Sequence, residues 1–405
     1  MRGLKRLVCL LAVWGMLCGS VSAKTAYIFD ASDAVTAPYD EDKQVWAPTA
    51  AAVSVQALSV GGKGAVLMEQ QSGTVIFEKA PHEKVPIASV TKIMTLLLVM
   101  EALDGELIRL EDMVTCSKTA ASMGGSQIWL EEGEQMSVDD LLKAAAIVSA
   151  NDACAALAEH ICGTIEGFVA RMNERATELG MKDTMFLDCS GLNDEGHSSA
   201  YDVALMAREL MKHEDIKRYT TTWMDTLRDG KSQLVNTNKL VRHYAGATGL
   251  KTGTTAAAGH CLAAAAQRDG VAFIAVILGC ETTDERFGGA RAMLDHGFAN
   301  YTVYTPTPQT ADFVTVTGGV ENTVGVQTDA AKPLLLKKGQ EKQLVPSVEL
   351  ASFAEAPIEK GQVLGTFVLM LDNRKILELP IRATEKVGKM TVWCAFGRLL
   401  SALVR

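Results

Sequence analysis

Residues 86–105 read Pro86-Ile87-Ala88-Ser89-Val90-Thr91-Lys92-Ile93-Met94-Thr95-Leu96-Leu97-Leu98-Val99-Met100-Glu101-Ala102-Leu103-Asp104-Gly105. From Ser89 to Leu103 the apolar residues Ile93, Leu96, Leu97, Met100 and Leu103 recur at helical spacing. Asp104-Gly105 supplies a stop signal. The stretch predicts an apolar helix opened by Ser89-Val90-Thr91-Lys92. There a serine and a lysine three apart share one face on adjacent turns. The serine also stands at the positive end of the helix dipole, which favours anionic character nearby. A serine hydroxyl is a poor nucleophile until a base takes its proton. A lysine can be that base when burial or neighbouring positive charge lowers its pKa. Alone, Ser-x-x-Lys is weak, because most such pairs are solvated helix residues.

Upstream, Ala65-Val66-Leu67-Met68 and Thr74-Val75-Ile76-Phe77 flank Gln71-Ser72-Gly73, which suggests a β-hairpin. Downstream, Ser137 is suited to cap a helix carrying Leu141, Leu142 and Ile147, with Asp140 three residues on. A second helix is expected from about Asp152 to Ile161. Apolar runs at Leu262 to Gln267 and Val271 to Leu278 surround Arg268-Asp269-Gly270, a strong hairpin signal. Asp284 to Tyr301 returns to helix. Helices mixed with antiparallel strands point to an α+β domain over residues 61–304. Thr305-Pro306-Thr307-Pro308 marks a stiff linker. Short strands such as Phe313 to Thr317, Pro333 to Leu336 and Gln362 to Leu371 then indicate a small β-rich domain over 305–386.

Both ends have their own character. Arg2, Lys5 and Arg6 precede the apolar run Leu7 to Leu17 and the small residues Val21-Ser22-Ala23, the pattern of a signal peptide over residues 1–23. A retained anchor is the rival, but the run falls short of the roughly 20 apolar residues a span needs. Residues 24–60 read as a leader or linker. In the stretch 387–405, Val392, Trp393, Phe396, Leu399, Leu400, Leu403 and Val404 share a helical face opposite Arg398, Ser401 and Arg405. That is the pattern of a helix lying in a membrane interface. The plainer reading is a helix packed on the protein's own surface. The expectation is an exported protein held at the outer face of the cytoplasmic membrane.

The chain has 405 residues and a net charge of −9. No long basic tract appears, which argues against nucleic acid as the main partner. Seven cysteines remain after the signal, an odd number without close pairing, and this is no disulfide framework. No Cys-x-x-Cys with histidine partners suggests zinc, and the sequence signals no other cofactor.

Two further elements bear on Ser89. Ser149-Ala150-Asn151 falls between two expected helices. Read plainly it is a cap, since both residue types favour caps. Read as chemistry, Ser149 relays a proton between Lys92 and the leaving group, and Asn151 binds Lys92 or a substrate amide. Lys251-Thr252-Gly253 sits inside Gly249-Leu250-Lys251-Thr252-Gly253-Thr254-Thr255. At a strand edge Gly253 lets a substrate backbone approach, while Lys251 and Thr252 bind a terminal carboxylate. Backbone N–H groups of Ser89 and Thr254 are candidates for an oxyanion hole. The plainer reading is an exposed lysine before a glycine turn.

In this order, Ser-x-x-Lys, Ser-x-Asn and Lys-Thr-Gly form the signature set of the penicillin-binding and serine β-lactamase group. The chain resembles the low-molecular-mass penicillin-binding proteins, D-alanyl-D-alanine carboxypeptidases of the serine type. Ile87 to Thr95, Gly125-Ser126, Glu132-Gly133, Ser149 to Ala153, Ser190-Gly191-Leu192, His197 to Asp202, Gly249 to Gly253 and Ala258-Gly259 carry the likeness from about Gly64 to Tyr301. It continues more weakly through Ala356-Pro357-Ile358-Glu359-Lys360-Gly361, and the tail looks like the family's membrane anchor. Ala150 stands where the family commonly has glycine.

The resemblance implies a penicillin-binding/β-lactamase-like fold and Ser89 as acyl-ester nucleophile. Lys92 would be its general base and Ser149 would share proton transfer. Asn151, Lys251, Thr252, Gly253 and Thr254 would bind substrate. Arg286 falls where the family often has an arginine near the substrate carboxylate, though a surface charge fits the local pattern as well. His197 reads as a structural loop residue. The implied partners are a stem peptide of the cell wall ending in D-Ala-D-Ala and β-lactam antibiotics. A β-lactamase or an endopeptidase uses the same motifs, and an idle binding protein could keep them. The extra β-rich domain, the amphipathic tail and the intact motif set favour the tethered carboxypeptidase.

Overall fold

The computed structural model describes residues 58–308 and 311–403. The signal-peptide expectation and nearly all of the leader expectation therefore lie outside the described residues. The described chain forms two compact units, one of residues 58–306 with 332–342 and one of 307–331 with 343–403.

The larger unit is built on a five-stranded antiparallel sheet. Its strands are β1 (Gly64–Glu69), β2 (Val75–Lys79), β3 (Ala247–Thr255), β4 (Gly259–Arg268) and β5 (Val271–Cys280). Their order is β2-β1-β5-β4-β3, so β3 is an edge. Both expected hairpins form. Strands with both faces covered lose the apolar–polar alternation; all of β1, most of β5 and the middle of β4 are buried. Ala65, Leu67, Leu262, Phe273, Ala275 and Ile277 face one core, shared with Phe287, Ala290, Met293 and Leu294 of α6 (Thr283–Asn300). Val66, Met68, Ala263, Ala265, Ile274 and Val276 face the larger core on the other side.

That second core is helical. Its central member is α1 (Lys92–Asp104), surrounded by α2 (Val138–Lys143), α3 (Asn151–Cys162), α4 (Ile165–Glu178) and α5 (Ala200–Leu210). The sequence reading gave α1 one apolar face. Instead every residue from Lys92 to Met100 is buried, as befits a helix apolar all round. Ser137 caps α2 as expected, its Oγ accepting from the Asp140 N–H at 3.1 Å.

The smaller unit holds a six-stranded sheet. In spatial order its strands are Val345–Leu350, Val363–Leu371, Arg374–Ala383, Thr323–Thr328, Phe313–Thr317 and Phe353–Glu355. One expected strand is placed differently. Leu334–Lys337 pairs with Tyr301–Tyr304 and counts with the larger unit. Its buried Leu335 joins the core under α6, which outweighs its position in the chain. A last helix runs Val392–Leu403, with Val392, Trp393 and Phe396 exposed. Among the described residues no single helix is long and apolar enough to cross a membrane.

Candidate active site

Ser89 does not open α1 itself. It lies in a 3₁₀ turn, Ala88–Thr91, that leads into α1 at Lys92. Ala88 takes a left-handed φ of +47° just before it. The turn is gripped on two sides by glycines. A Cβ on Gly253 of β3 would stand 2.6 Å from Ile87 O and 3.0 Å from the backbone nitrogens of Ser89 and Val90. A Cβ on Gly191, itself at φ +80°, would stand 1.9 Å from Ala88 O. The sequence reading gave Gly253 the task of admitting a substrate backbone. In the structure the backbone that comes close is the protein's own nucleophile turn.

Lys92 is fully buried. Its Nζ donates to Asn151 Oδ1 at 2.6 Å, to Ser190 O at 2.7 Å and to Ser89 Oγ at 3.0 Å. Burial, above all, pushes this ammonium below the ordinary lysine value, against the opposing charges of Asp188 and Asp152. A neutral amine has two N–H groups and one lone pair. Asn151 and the Ser190 carbonyl can only accept, so they take the two N–H groups and leave the lone pair for Ser89. The geometry is that of a base facing a hydroxyl.

Neither the Ser149 nor the Asn151 side chain caps a helix; Ser149 closes the preceding π-helical turn through its backbone N–H. The N-cap of α3 is Ala150, with no side-chain hydrogen bond. Ser149 stands in the left-handed region at φ +67° between a π-helical turn, Ala144–Val148, and α3. Its hydroxyl is buried and has no hydrogen-bond partner. Asn151 is tied down on two sides: its backbone N–H donates to Ser126 O at 2.7 Å and its Nδ2 donates to Gly124 O at 2.7 Å, which directs Oδ1 to Lys92.

Lys251 is buried, not the exposed lysine of the plainer reading. Burial, then the charges of Lys92 and Arg286, hold its ammonium well below the usual value. Its Nζ donates to Thr252 O at 3.1 Å, and Thr252 Oγ1 donates to Thr237 Oγ1 at 2.8 Å. Two lysines thus influence one another in a site where, among the described residues, their side-chain nitrogens hydrogen-bond amide, carbonyl and hydroxyl oxygens and no carboxylate, an arrangement that favours an incoming anion. Arg286, on α6, is buried too, which overturns the surface-charge alternative. Its Nη1 donates to Gly253 O at 3.1 Å and Thr254 Oγ1 at 3.0 Å, so it braces the end of β3. Thr254 remains exposed. His197 is half-buried and pairs its backbone with Met185, with Nδ1 3.4 Å from Glu195 O.

Sequence reasoning missed the residues that hold these groups in place. The Asp188 carboxylate accepts from the N–H groups of Ser190, Gly191 and Asn193, and so shapes the loop whose Ser190 carbonyl meets Lys92. An aspartate two residues before Ser-Gly is an available signal for such a turn. The Asp152 carboxylate, fully buried, accepts from the N–H groups of Ile128 and Leu130. Only its position beside Asn151 hinted at a role.

Comparison with known proteins bears on this constellation. Residues 51–282 match the family described as D-alanyl-D-alanine carboxypeptidase, and 305–389 match the penicillin-binding protein 5 C-terminal domain. The chain is 45% identical over 334 residues to D-alanyl-D-alanine carboxypeptidase DacF of Bacillus subtilis, covering 81% of this chain and 86% of that one. It is similar to penicillin-binding protein 5 from Haemophilus influenzae, with a TM-score of 0.73 and 30% identity over 83% of this chain and all of that one (100%). Penicillin-binding protein D2 from Listeria monocytogenes in its ampicillin-bound form superposes with a TM-score of 0.55 and 29% identity, covering 60% of this chain and 99% of that one.

Proposed function

The chain belongs to the D-alanyl-D-alanine carboxypeptidase family, and from that premise we propose how its residues divide the reaction. The enzyme removes the terminal D-alanine from peptidoglycan stem peptides through a serine acyl-enzyme and is acylated by penicillin.

In our reading Ser89 Oγ attacks the carbonyl between the two D-alanines, and its proton passes to Lys92 Nζ. The C–N bond then breaks. The departing D-alanine takes a proton from Lys92 by way of the Ser149 hydroxyl, and water hydrolyses the ester that remains. Covalent catalysis splits one hard step into two easier ones. Lys251, with Thr252 and Thr254, receives the terminal carboxylate, whose charge supplies the partner that the buried lysine lacks. Arg286 adds positive charge and holds Gly253 and Thr254 in line. The observation that carries this reading is the three-way bonding of Lys92, which aims its lone pair at Ser89.

The experiment is D-alanine release from a D-Ala-D-Ala peptide, run beside labelling by a fluorescent penicillin. Ser89→Ala is expected to abolish both. Release at the wild-type rate by Ser89→Ala would end the assignment.

We further propose that the enzyme is exported through its N-terminal signal and rests peripherally on the outer face of the cytoplasmic membrane. The exposed Val392, Trp393 and Phe396 of the last helix support this, since apolar and aromatic residues beside Arg398 suit an interface.

A further inference from the structure

The loop from Ser126 to Glu134 is clamped by two charged side chains. From one side Asp152 accepts from the N–H of Ile128 at 3.1 Å and of Leu130 at 3.0 Å. From the other, Arg228 donates to the carbonyls of Ile128 at 2.8 Å and Trp129 at 3.3 Å. The charge of Arg228 is answered by Glu134, at 2.7 Å and 3.1 Å. Ile128 and Leu130 are buried.

The residue between them is the exception. Trp129 has φ +59° and is 75% exposed. A bulky residue at positive φ is an outlier and is held only where its surroundings over-determine it. An exposed indole forgoes the gain of burial besides. The clamp therefore fixes an aromatic ring in solvent at a cost to both backbone and side chain.

The place is specific. Ser126 O accepts from the N–H of Asn151, whose side chain bonds Lys92. Asp152, next to Asn151, holds the N–H groups on either side of Trp129, and three residues of extended chain keep Trp129 within about 10 Å of Ser126. Glu131 and Glu132 follow it, both exposed. An aromatic face next to carboxylates is the chemistry that receives an alkylammonium group.

We propose that Trp129, with Glu131 and Glu132, is a specificity subsite for a free side-chain amine on the residue just upstream of the two D-alanines. The inference rests on the D-alanyl-D-alanine carboxypeptidase reading. A long aminoalkyl side chain at that position is the substrate group that would have to reach Trp129 from the scissile bond at Ser89. A sugar attached beyond the stem lies several residues further away.

The test uses two pentapeptides ending in D-Ala-D-Ala that differ only in a free or acetylated side-chain amine, with the rate of benzylpenicillin acylation as a control. Trp129→Ala should lower kcat/KM for the free amine about fivefold and change the acetylated peptide less than about twofold. Trp129→Phe should restore most of the loss. Joint Glu131→Gln and Glu132→Gln should again weaken only the free amine. Equal losses on both peptides, as an apolar or sugar platform would give, overturn the proposal. So does no loss on either, and so does a parallel loss of penicillin acylation, which would mark a structural role. Wild-type enzyme that forms the penicillin adduct yet releases no D-alanine from either peptide would instead sink the underlying reading, and this subsite with it.

Discussion

Asn151 Oδ1 lies 2.6 Å from Lys92 Nζ, and the same amide is anchored through Nδ2 to Gly124 O at 2.7 Å. The lysine is thereby steered by a residue 59 positions away in the chain. Asn151→Ala should leave a buried N–H of Lys92 unpaired and let the amine swing from Ser89. We expect the rate of acylation by penicillin to fall about 100-fold, in the range of general-base effects. Asn151→Asp should place a carboxylate on Lys92, raise its pKa and move the rising limb of the pH–rate curve upward. An unchanged curve in Asn151→Asp would show that Asn151 does not govern the base.

The pH dependence follows from burial. Lys92 acts as a base only when neutral, and its ammonium is pushed below the ordinary lysine value. Acylation should therefore rise with pH and level off below the 10.5 of a free lysine. A pH–rate profile still climbing beyond that value would contradict the assignment.

Lys251 makes a parallel case in stability. Its folded pKa is held well below its unfolded value, mainly by burial. Between the two values the unfolded chain binds more protons, so stability rises with pH across that window. Below the folded pKa the full penalty is present. Lys251→Met should thus be at least as stable as wild type at neutral pH and lose part of the pH slope, read as urea midpoints from pH 7 to 10. It should also lose peptide turnover, as expected where a binding site is maintained at the expense of stability. Lower stability at neutral pH in Lys251→Met would refute this.

Two glycines hold the nucleophile turn. Gly253→Ala would press a methyl against three backbone atoms of Ile87, Ser89 and Val90. Overpacking of that kind costs about 1–3 kcal/mol, and here the shift falls on Ser89 itself. Activity should drop more steeply than thermal stability. Gly191→Ala, with a positive φ and a Cβ 1.9 Å from Ala88 O, should damage both. Wild-type acylation by either variant would show that the turn tolerates displacement.

The expectation for the tail is a separate one. Deletion from Met390 onward should release the protein from membranes and leave soluble D-alanine release intact. Fractionation of the signal-processed, truncated protein with membranes would contradict the anchor.

Much of this was legible in the sequence because it is local. Hairpin turns, the Ser137 cap, the Gly105 stop and the three motifs each declare themselves within a few residues. What stayed hidden depends on distant partners. Nothing near Lys92 announces that the carbonyl of Ser190, 98 positions on, will accept a hydrogen bond from its Nζ. The all-round burial of α1 could not be told from a one-sided pattern, because Leu98 and Val99 read the same either way. Gly253 was rightly marked as a place of close approach, but the approaching chain comes from residues 87–90. Arg286 was ambiguous because its pairing with Gly253 O exists only once α6 packs on the sheet. Leu334–Lys337 looked like part of the β-rich domain because chain order, not pairing, is what a sequence displays.

The central claim is that Ser89 is the acylated nucleophile. Its most direct test is mass spectrometry of the intact enzyme and its peptides after treatment with benzylpenicillin. The account predicts one penicilloyl adduct, on the peptide containing Ser89, absent from Ser89→Ala. An adduct on any other residue, or one that persists in Ser89→Ala, would contradict it.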